Sequence, residues 1–215
     1  MRSVPVLLFF LLLFAVPASS QDLHNCEVAH LSDAADFSLD LGAYACAFAD
    51  ESRALTLEDM LAAKADALFQ PVPGNLIDFG FGTARYWVRV RLESTSTDPG
   101  LWWVTHDIPV AKLVQVYLVP DGTPEAVQTL LTYRATDPFD ARPIPHRHLV
   151  SEIALAPQAA ATLLIAYSAD QATEMPLFVE SVPAFVSRTQ SETLWIVTLT
   201  ALVLGMGVIN TVYLY

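Results

Sequence analysis

The sequence predicts a mainly β fold, an antiparallel β-sandwich of the jelly-roll type, followed by one transmembrane α-helix. Between residues 75 and 183, short apolar or alternating segments recur at intervals of about ten residues, with turn residues between them, which is typical of a sandwich. About eight such strands favour a jelly roll over an open sheet. Residues 194–215 then form an uncharged apolar run, which predicts the membrane helix.

The amino terminus has the pattern of a secretory signal peptide. Arg2 is followed by an apolar run from Val6 to Val16 and then by small residues. This run is too short to span a bilayer as a helix, which takes about 20 residues. Residues 1–20 are therefore predicted to be a signal peptide that is removed. An uncleaved amino-terminal anchor is the alternative.

Two cysteines, Cys26 and Cys46, follow in the exported part of the chain. In an oxidising compartment, a single pair of this kind predicts a disulfide. His24 and His30 flank the first cysteine, but their spacing matches no standard zinc module, so no metal is predicted there. Residues 21–54 lack strong periodicity, and they are predicted to be an extended or loosely ordered lead-in that the disulfide holds.

Residues 55–183 are predicted to form the sandwich domain. It opens with a short amphipathic helix within residues 55–69, where Thr56 and Asp59 have nearly the spacing and chemistry of a capping box. The strands are predicted in the segments RYWVRVRLES, LWWVTHDIP, KLVQVYLVP, AVQTLLTYRA, LVSEIALA, ATLLIAYSA and MPLFVESV.

The segment RYWVRVRL, residues 85–92, alternates with a period of two. Its tyrosine, two valines and leucine point to the predicted core, and its three arginines and tryptophan point the other way. The chain has 11 Lys and Arg against 23 Asp and Glu, a net charge of −12, which excludes nucleic-acid binding through bulk charge. These arginines therefore mark either one local anion-accepting patch or a face that the chain itself covers.

The functional interpretation of this face is a binding platform. An aromatic ring would stack on a sugar or another ring, and arginines would hold carboxylates or phosphates. Trp102 on the adjacent predicted strand and Tyr117 on the next would extend the row, with Arg142 of the Pro-rich segment as a lid. The candidate ligand-binding residues are Arg85, Trp87, Arg89, Arg91, Trp102, Tyr117 and Arg142. The alternatives are cover by the Pro-rich segment around Arg142, or a self-association surface that forms a homodimer.

Signatures of enzymes and metal sites are absent from the sequence. It has no nucleophile elbow, no zinc-protease motif and no glycine-rich phosphate loop. Asp137 and Asp140 flank a Pro-Phe pair, and the first is interpreted as a turn residue. His146 and His148 have no third ligand near them in the sequence, so they are interpreted as solvated or backbone-bonded. The sequence predicts no catalysis, no cofactor and no metal.

Residues 184–193 are predicted to be a juxtamembrane segment that leads without a linker into the span 194–215. As a helix this span is about 33 Å long, enough for a hydrocarbon core of about 30 Å. Trp195, Tyr213 and Tyr215 suit the two interfaces. No basic flank follows the span, so we expect the chain to be the amino-terminal part of a longer protein or a truncated product.

Several segments together resemble one known family. In chain order they are LTLEDML, DFGFGTARYWVRVRLES, LWWVTHDIPVAKLVQVYLV, TDPFDARPIPHRHLV, MPLFVES and GMGVINTVYLY. Their order and spacing resemble the extracellular sensor domain, type 2, of bacterial seven-transmembrane receptors with diverse intracellular signalling modules, over about residues 50–215. The resemblance implies a periplasmic jelly roll similar to carbohydrate-binding modules, seven membrane helices and a cytoplasmic output such as a diguanylate cyclase, histidine kinase or phosphatase. It supplies no fixed ligand residues.

The predicted function is therefore a sensor domain on the periplasmic side of a bacterial inner membrane. It would bind a small molecule, such as a carbohydrate or a carboxylated metabolite, and pass the signal to membrane helices. The alternative is a membrane-tethered interaction or dimerisation module without a small-molecule ligand.

Overall fold

The computed structural model describes residues 26–107, 111–170 and 174–214. The signal peptide predicted at residues 1–20 and the first residues of the predicted lead-in lie outside these ranges. Within them, two β-sheets pack face to face and a long helix follows. The predicted β-sandwich with a C-terminal apolar helix is confirmed, and the jelly-roll winding stays a prediction.

The secondary structure follows the chain in simple order. The strands are β1 Val28–Leu31, β2 Ser38–Asp40, β3 Ala45–Asp50, β4 Gln70–Pro71, β5 Arg85–Ser94, β6 Gly100–His106, β7 Leu113–Pro120, β8 Gln128–Arg134, β9 Leu149–Leu155, β10 Ala160–Ser168 and β11 Leu177–Glu180. The helices are α1 Leu57–Leu61 and α2 Val182–Leu214, and a 3-10 turn at Ala63–Leu68 follows α1.

The strands form one large and one small sheet. The large sheet has the order β4-β3-β5-β10-β7-β8, and β1 lies parallel to the far end of β5. The small sheet has the order β2-β11-β6-β9 and is antiparallel throughout. Each strand segment predicted from the sequence is therefore present, but β5 and β6, although consecutive, belong to different sheets.

Residues 28–50 differ from the prediction of an extended or loosely ordered lead-in over residues 21–54. They contribute β1 and β3 to the large sheet and β2 to the small one, so they are part of the sandwich. Ala29, Leu31 and Ala45 are buried in the main core. The sequence signal is weak because these strands are short and because alanine contributes little to an alternating hydrophobic pattern.

The main core lies between the two sheets. β5 supplies the alternating residues of RYWVRVRL that were predicted to point inward, and they are buried. Facing them across the sandwich are Trp102, Val104, Ile153, Leu177 and Val179 of the small sheet. The predicted inward face of β5 is therefore correct.

The outer face of the large sheet is closed as well. α1 and the 3-10 turn after it lie over this face, and Met60 and Phe69 pack into a second core beside Leu164 of β10. α1 begins with the predicted capping box: Thr56 Oγ1 accepts a hydrogen bond from Asp59 N at 3.3 Å, and Asp59 Oδ2 accepts one from Thr56 N at 2.9 Å.

The disulfide joins the chain ahead of β1 to β3 at the same outer face. Cys26 and Cys46 are bonded, with their Cα atoms 5.8 Å apart, so the predicted disulfide is confirmed. Cys46 is buried in the second core. The crosslink therefore fixes the amino-terminal strands to the covered side of the large sheet.

α2 begins at the end of the small sheet and continues without a break. Ser181 caps it, because its Oγ accepts a hydrogen bond from Ala184 N at 3.2 Å, and Pro183 suits the first turn. The predicted juxtamembrane segment and span form one helix with no linker between them. The stretch Val182–Thr211 is long and apolar enough to cross a membrane, by length and composition.

The disulfide gives a first testable prediction. The bonded residues are 20 positions apart, and closing a loop of this size stabilises the fold by about 3 kcal/mol through the entropy of the unfolded chain. We expect reduction with dithiothreitol to lower the free energy of unfolding in urea by about this amount. The Cys26→Ser/Cys46→Ser double variant is the control and should not respond to the reductant. An unchanged unfolding midpoint of the reduced wild type would contradict the prediction.

Candidate functional site

The arginine–tryptophan face of β5 is covered by the chain itself. Trp87 is 2% exposed and Tyr117 is 7% exposed, and both lie in the second core beneath α1 and the turn after it. The structure thus brings these two predicted aromatic residues together, but as packing residues and not as an open platform. The cover is residues 57–69 and not the Pro-rich segment around Arg142.

Two arginines of this face are paired with carboxylates from neighbouring segments. Arg89 forms an ion pair with Asp66 and lies over the Phe69 ring, with its guanidinium carbon 4.5 Å from the ring centre. Arg91 Nη2 donates to Asp121 Oδ2 at 2.7 Å. Arg89 therefore joins the covering turn to β5, whereas Arg91 joins β5 to the turn after β7.

Trp102 and Arg142 lie away from this face. Trp102 is on β6 of the small sheet, where its ring is buried in the main core and its indole nitrogen donates to the backbone oxygen of Ser32 at 2.7 Å. The expectation that it extends the row beside Trp87 is wrong, because the chain crosses to the other sheet after β5. Arg142 folds back on its own loop and donates to the backbone oxygen of His146 at 2.6 Å.

The remaining predicted residue, Arg85, lines a cavity of about 360 Å³ at one end of the large sheet. We call this the basic cavity. Its charged lining residues are Arg53, Arg85, Lys112, Arg134 and Asp170. Four cationic side chains against one carboxylate give this site a positive charge in a molecule whose net charge is −12.

The basic cavity forms where strands end. In an antiparallel sheet, the last residue of one strand lies beside the first residue of its neighbour. The last residue of β3 pairs with the first of β5, and the last residue of β10 pairs with the first of β7. Leu113 at the start of β7 in turn pairs with Arg134 at the end of β8. Cationic residues far apart in sequence therefore meet in one row.

A second charged site joins the sandwich to α2. Arg188 of α2 donates through Nε and Nη2 to the two carboxylate oxygens of Glu180, at 3.0 and 2.7 Å. Its Nη1 also donates to Asp107 Oδ2 at 2.9 Å and to Glu192 Oε1 at 2.9 Å. Glu180 ends β11, Asp107 follows β6 and Glu192 lies one helical turn further on, so one guanidinium connects three elements.

The loop between β8 and β9 completes this site. His148 Nδ1 lies 3.0 Å from the backbone oxygen of Asp107, and its Nε2 lies 3.3 Å from Glu192 Oε2. Arg147 forms an ion pair with Glu192 as well. We call these residues, with Arg188 and Glu180, the juxtamembrane cluster. His148 thus has the backbone partner that was one of the two interpretations of the histidines, and it has a carboxylate partner in addition.

Two further histidines lie close to the cluster. His106 is 4% exposed at the end of β6, and burial lowers its pKa to about 4, so its ring is neutral at pH 7. His146 packs against Phe185 of α2, with ring centres 4.9 Å apart, and burial together with the nearby His148 and Arg147 lowers its pKa. In the described ranges no three His, Cys, Asp or Glu side chains are grouped so that they could hold a metal ion.

The sequence analysis missed most residues of both sites. Arg53, Lys112 and Arg134 each carry an ordinary surface charge in the sequence, and only the strand order brings them together. The signal for the juxtamembrane cluster was present in part, since Arg188 and Glu192 have the i, i+4 spacing of a helical ion pair just before an apolar span. No such spacing in the sequence predicts that Glu180, which ends β11, is the buried partner of Arg188.

Comparison with known proteins gives one result that covers most of the sandwich. A family model described as 7TMR-DISM extracellular 2 matches residues 42–181, which is more than half of the 215-residue chain. The match ends at the residue before α2 begins. A search of curated proteins finds no match.

The burial of Trp87 leads to a second prediction. Trp87→Ala is expected to lower the free energy of unfolding by about 3–5 kcal/mol, because it leaves a cavity in the second core. Trp87→Phe should cost less, since it keeps a six-membered aromatic ring in the second core, and the indole nitrogen that it removes has no hydrogen-bond partner among the described residues. Urea unfolding measures both, with Arg91→Ala, expected within about 0.5 kcal/mol of wild type, as the control. A near-neutral Trp87→Ala would show that the ring is exposed.

The juxtamembrane cluster leads to a third. Glu180 is 0% exposed, so Arg188→Met would leave a buried carboxylate without its partner and lower the free energy of unfolding by about 3–5 kcal/mol. The double variant Arg188→Met/Glu180→Met removes both charges and should be more stable than the single variant. Urea unfolding of the detergent-solubilised chain measures both, with Arg91→Met as the matched control. A double variant no more stable than the single would contradict the buried pairing.

Proposed function

The chain belongs to the 7TMR-DISM extracellular 2 family, and from this membership we propose that it is the ligand-sensing part of a membrane receptor. The family is a sensor domain of seven-helix receptors, and the sandwich with its candidate membrane helix has the architecture of a membrane protein with an outside domain. We place the membrane as the bacterial inner membrane and the sandwich in the periplasm. The ligand is a small molecule, a carbohydrate or a carboxylated metabolite.

The observation that carries this proposal is the juxtamembrane cluster. A sensor must transmit a change in its outer domain to the membrane, and a flexible linker would lose it. Here Arg188 is fixed to Glu180 and Asp107 on the sandwich side, and α2 continues from this point into the span without a break. A movement of the strand ends therefore becomes a movement of the helix.

The chain also connects the basic cavity to the cluster. Lys112 of the cavity follows Asp107 of the cluster after four residues, and Arg134 opens the β8–β9 loop that carries Arg147 and His148. A ligand that shifts either segment acts directly on a contact of Arg188 or Glu192. Signalling requires only that the ligand binds two arrangements of these segments with different affinity.

The proposal gives this domain a binding role. Any catalytic output belongs to a cytoplasmic module of the receptor. The sandwich sets the position of α2, and this position controls the module.

The test measures the position of α2 against the sandwich in nanodiscs. Spin labels at Thr132→Cys on β8 and Thr200→Cys on α2 report a distance distribution by pulsed electron paramagnetic resonance. We expect at least one of four probes, glucose, maltose, succinate and citrate, to bind in calorimetry and to shift this distribution. Arg188→Gln should retain binding of that probe and lose the shift.

The matched control is Arg91→Gln, because Arg91 pairs with Asp121 outside the cluster, and it should keep both binding and the shift. A probe that binds but leaves the distribution unchanged would contradict transmission through α2. Failure of all four probes to bind would contradict the ligand classes named above.

A further inference from the structure

We propose that the basic cavity binds a small organic dianion, a molecule that carries two carboxylate or phosphate groups. This inference rests on the proposed sensor function and names the class of ligand and the place where it binds. Four cationic side chains, Arg53, Arg85, Lys112 and Arg134, line the cavity in a strongly acidic protein.

The spacing of the cations suits two anionic groups on one molecule. Arg85 begins β5 and Arg134 ends β8, and β10 and β7 lie between these strands. Neighbouring strands are about 4.8 Å apart, so the two arginine Cα positions are separated by about 14 Å along the row. The long side chains of Arg85 and Arg134 both line the cavity, and each would hold one anionic group of the proposed ligand by a forked pair of hydrogen bonds.

The charges of the cavity are incompletely neutralised by the protein. Lys112 Nζ lies 3.3 Å from Asp170, but the two side chains are 64% and 69% exposed, and such surface pairs contribute little. Among the described residues, neither the Arg53 nor the Arg134 guanidinium has a hydrogen bond or ion pair. A bound anion would therefore remove repulsion between like charges in addition to forming new contacts.

One wall of the cavity is held in position before any ligand binds. The buried carboxylate of Asp50 accepts hydrogen bonds from Arg53 N and Leu55 N, each at 3.0 Å. Arg53 has a φ of 57°, in the left-handed region that arginine adopts rarely, and the Asp50 carboxylate keeps it there. Arg85 Nη1 donates to the backbone oxygen of Leu55 at 3.3 Å, so the same turn positions both arginines.

A neutral sugar fits this cavity less well. An aromatic side chain on which a sugar ring could stack is absent from the described lining of the cavity. The aromatic residues that were predicted to supply one, Trp87 and Tyr117, are buried beneath α1. The hydroxyl groups of Thr83, Thr136 and Ser168 are instead available to an anion as hydrogen-bond donors. The cavity volume of about 360 Å³ suits a small ligand.

The test is isothermal titration of the full chain in phosphatidylcholine nanodiscs, at constant ionic strength. The probes are succinate with its neutral counterpart succinamide, and glucose 1,6-bisphosphate with its neutral counterpart glucose. We expect saturable binding of at least one anion and none of its neutral counterpart, and the anion that binds identifies carboxylate or phosphate as the group recognised.

Arg85→Gln and Arg134→Gln should each weaken the binding of that anion at least tenfold, whereas Arg91→Gln on the same strand as Arg85 should leave it unchanged. Arg134 is exposed, so its variant keeps the test valid if Arg85→Gln fails to fold. Equal binding of anion and neutral counterpart, no saturable anion binding, or insensitivity to both variants would overturn the inference.

These outcomes separate the inference from the proposed function. If glucose binds and moves the α2 label while neither anion binds, the dianion site is wrong and the sensor function stands. If an anion binds in the cavity but the α2 label does not move, the dianion site stands and transmission through α2 is wrong.

Discussion

Both faces of the large sheet are buried, and the rest of the molecule follows from this constraint. One face packs on the small sheet, and the other is closed by α1, the turn after it and the Cys26–Cys46 disulfide. Burying a large apolar side chain such as Met60 or Phe69 contributes about 1.5–3 kcal/mol each, so an open outer face would be costly. Arg89 is consequently paired with Asp66 of the cover, and Arg85 donates to the backbone oxygen of Leu55 just ahead of α1. At one end of this sheet, the strand ends line the basic cavity.

The same constraint explains the form of the junction with α2. Its candidate membrane span is exposed and, among the described residues, packs on nothing in the sandwich, so the contacts with the sandwich lie in the first turns. Phe185 supplies an apolar contact with Trp103, with ring centres 5.0 Å apart, and Arg188 supplies direction by binding carboxylates on β11, after β6 and on α2. A buried ion pair contributes less to stability than an apolar contact of the same size, but it accepts few alternative geometries. The first turns of α2 are therefore held in one orientation against the sandwich.

Several elements could be predicted because their signals are local. The alternation in residues 85–92 predicts a strand whose one face is core, the spacing of Thr56 and Asp59 predicts a capped helix, and two exported cysteines predict a disulfide. Other elements could not be predicted because their signals are distributed. β1 has only four residues, and half of the residues of β3 are alanine, so their alternation is faint. Trp87 looks the same in the sequence whether solvent or a covering helix lies above it.

The sequence by itself determined the class of the fold, the inward face of β5, the cysteine pair and the apolar span, because each depends on the period or composition of one continuous segment. Tertiary structure alone decided that Trp87 is buried, that Trp102 belongs to the other sheet, and that Arg53, Arg85, Lys112 and Arg134 share one cavity. The physical reason is that strand order brings together residues far apart in the chain. The position of one charged residue in the sequence does not predict which strand end will lie beside it. The placement of Glu180 beneath Arg188 depends on the same long-range packing, through which the sandwich holds the helix.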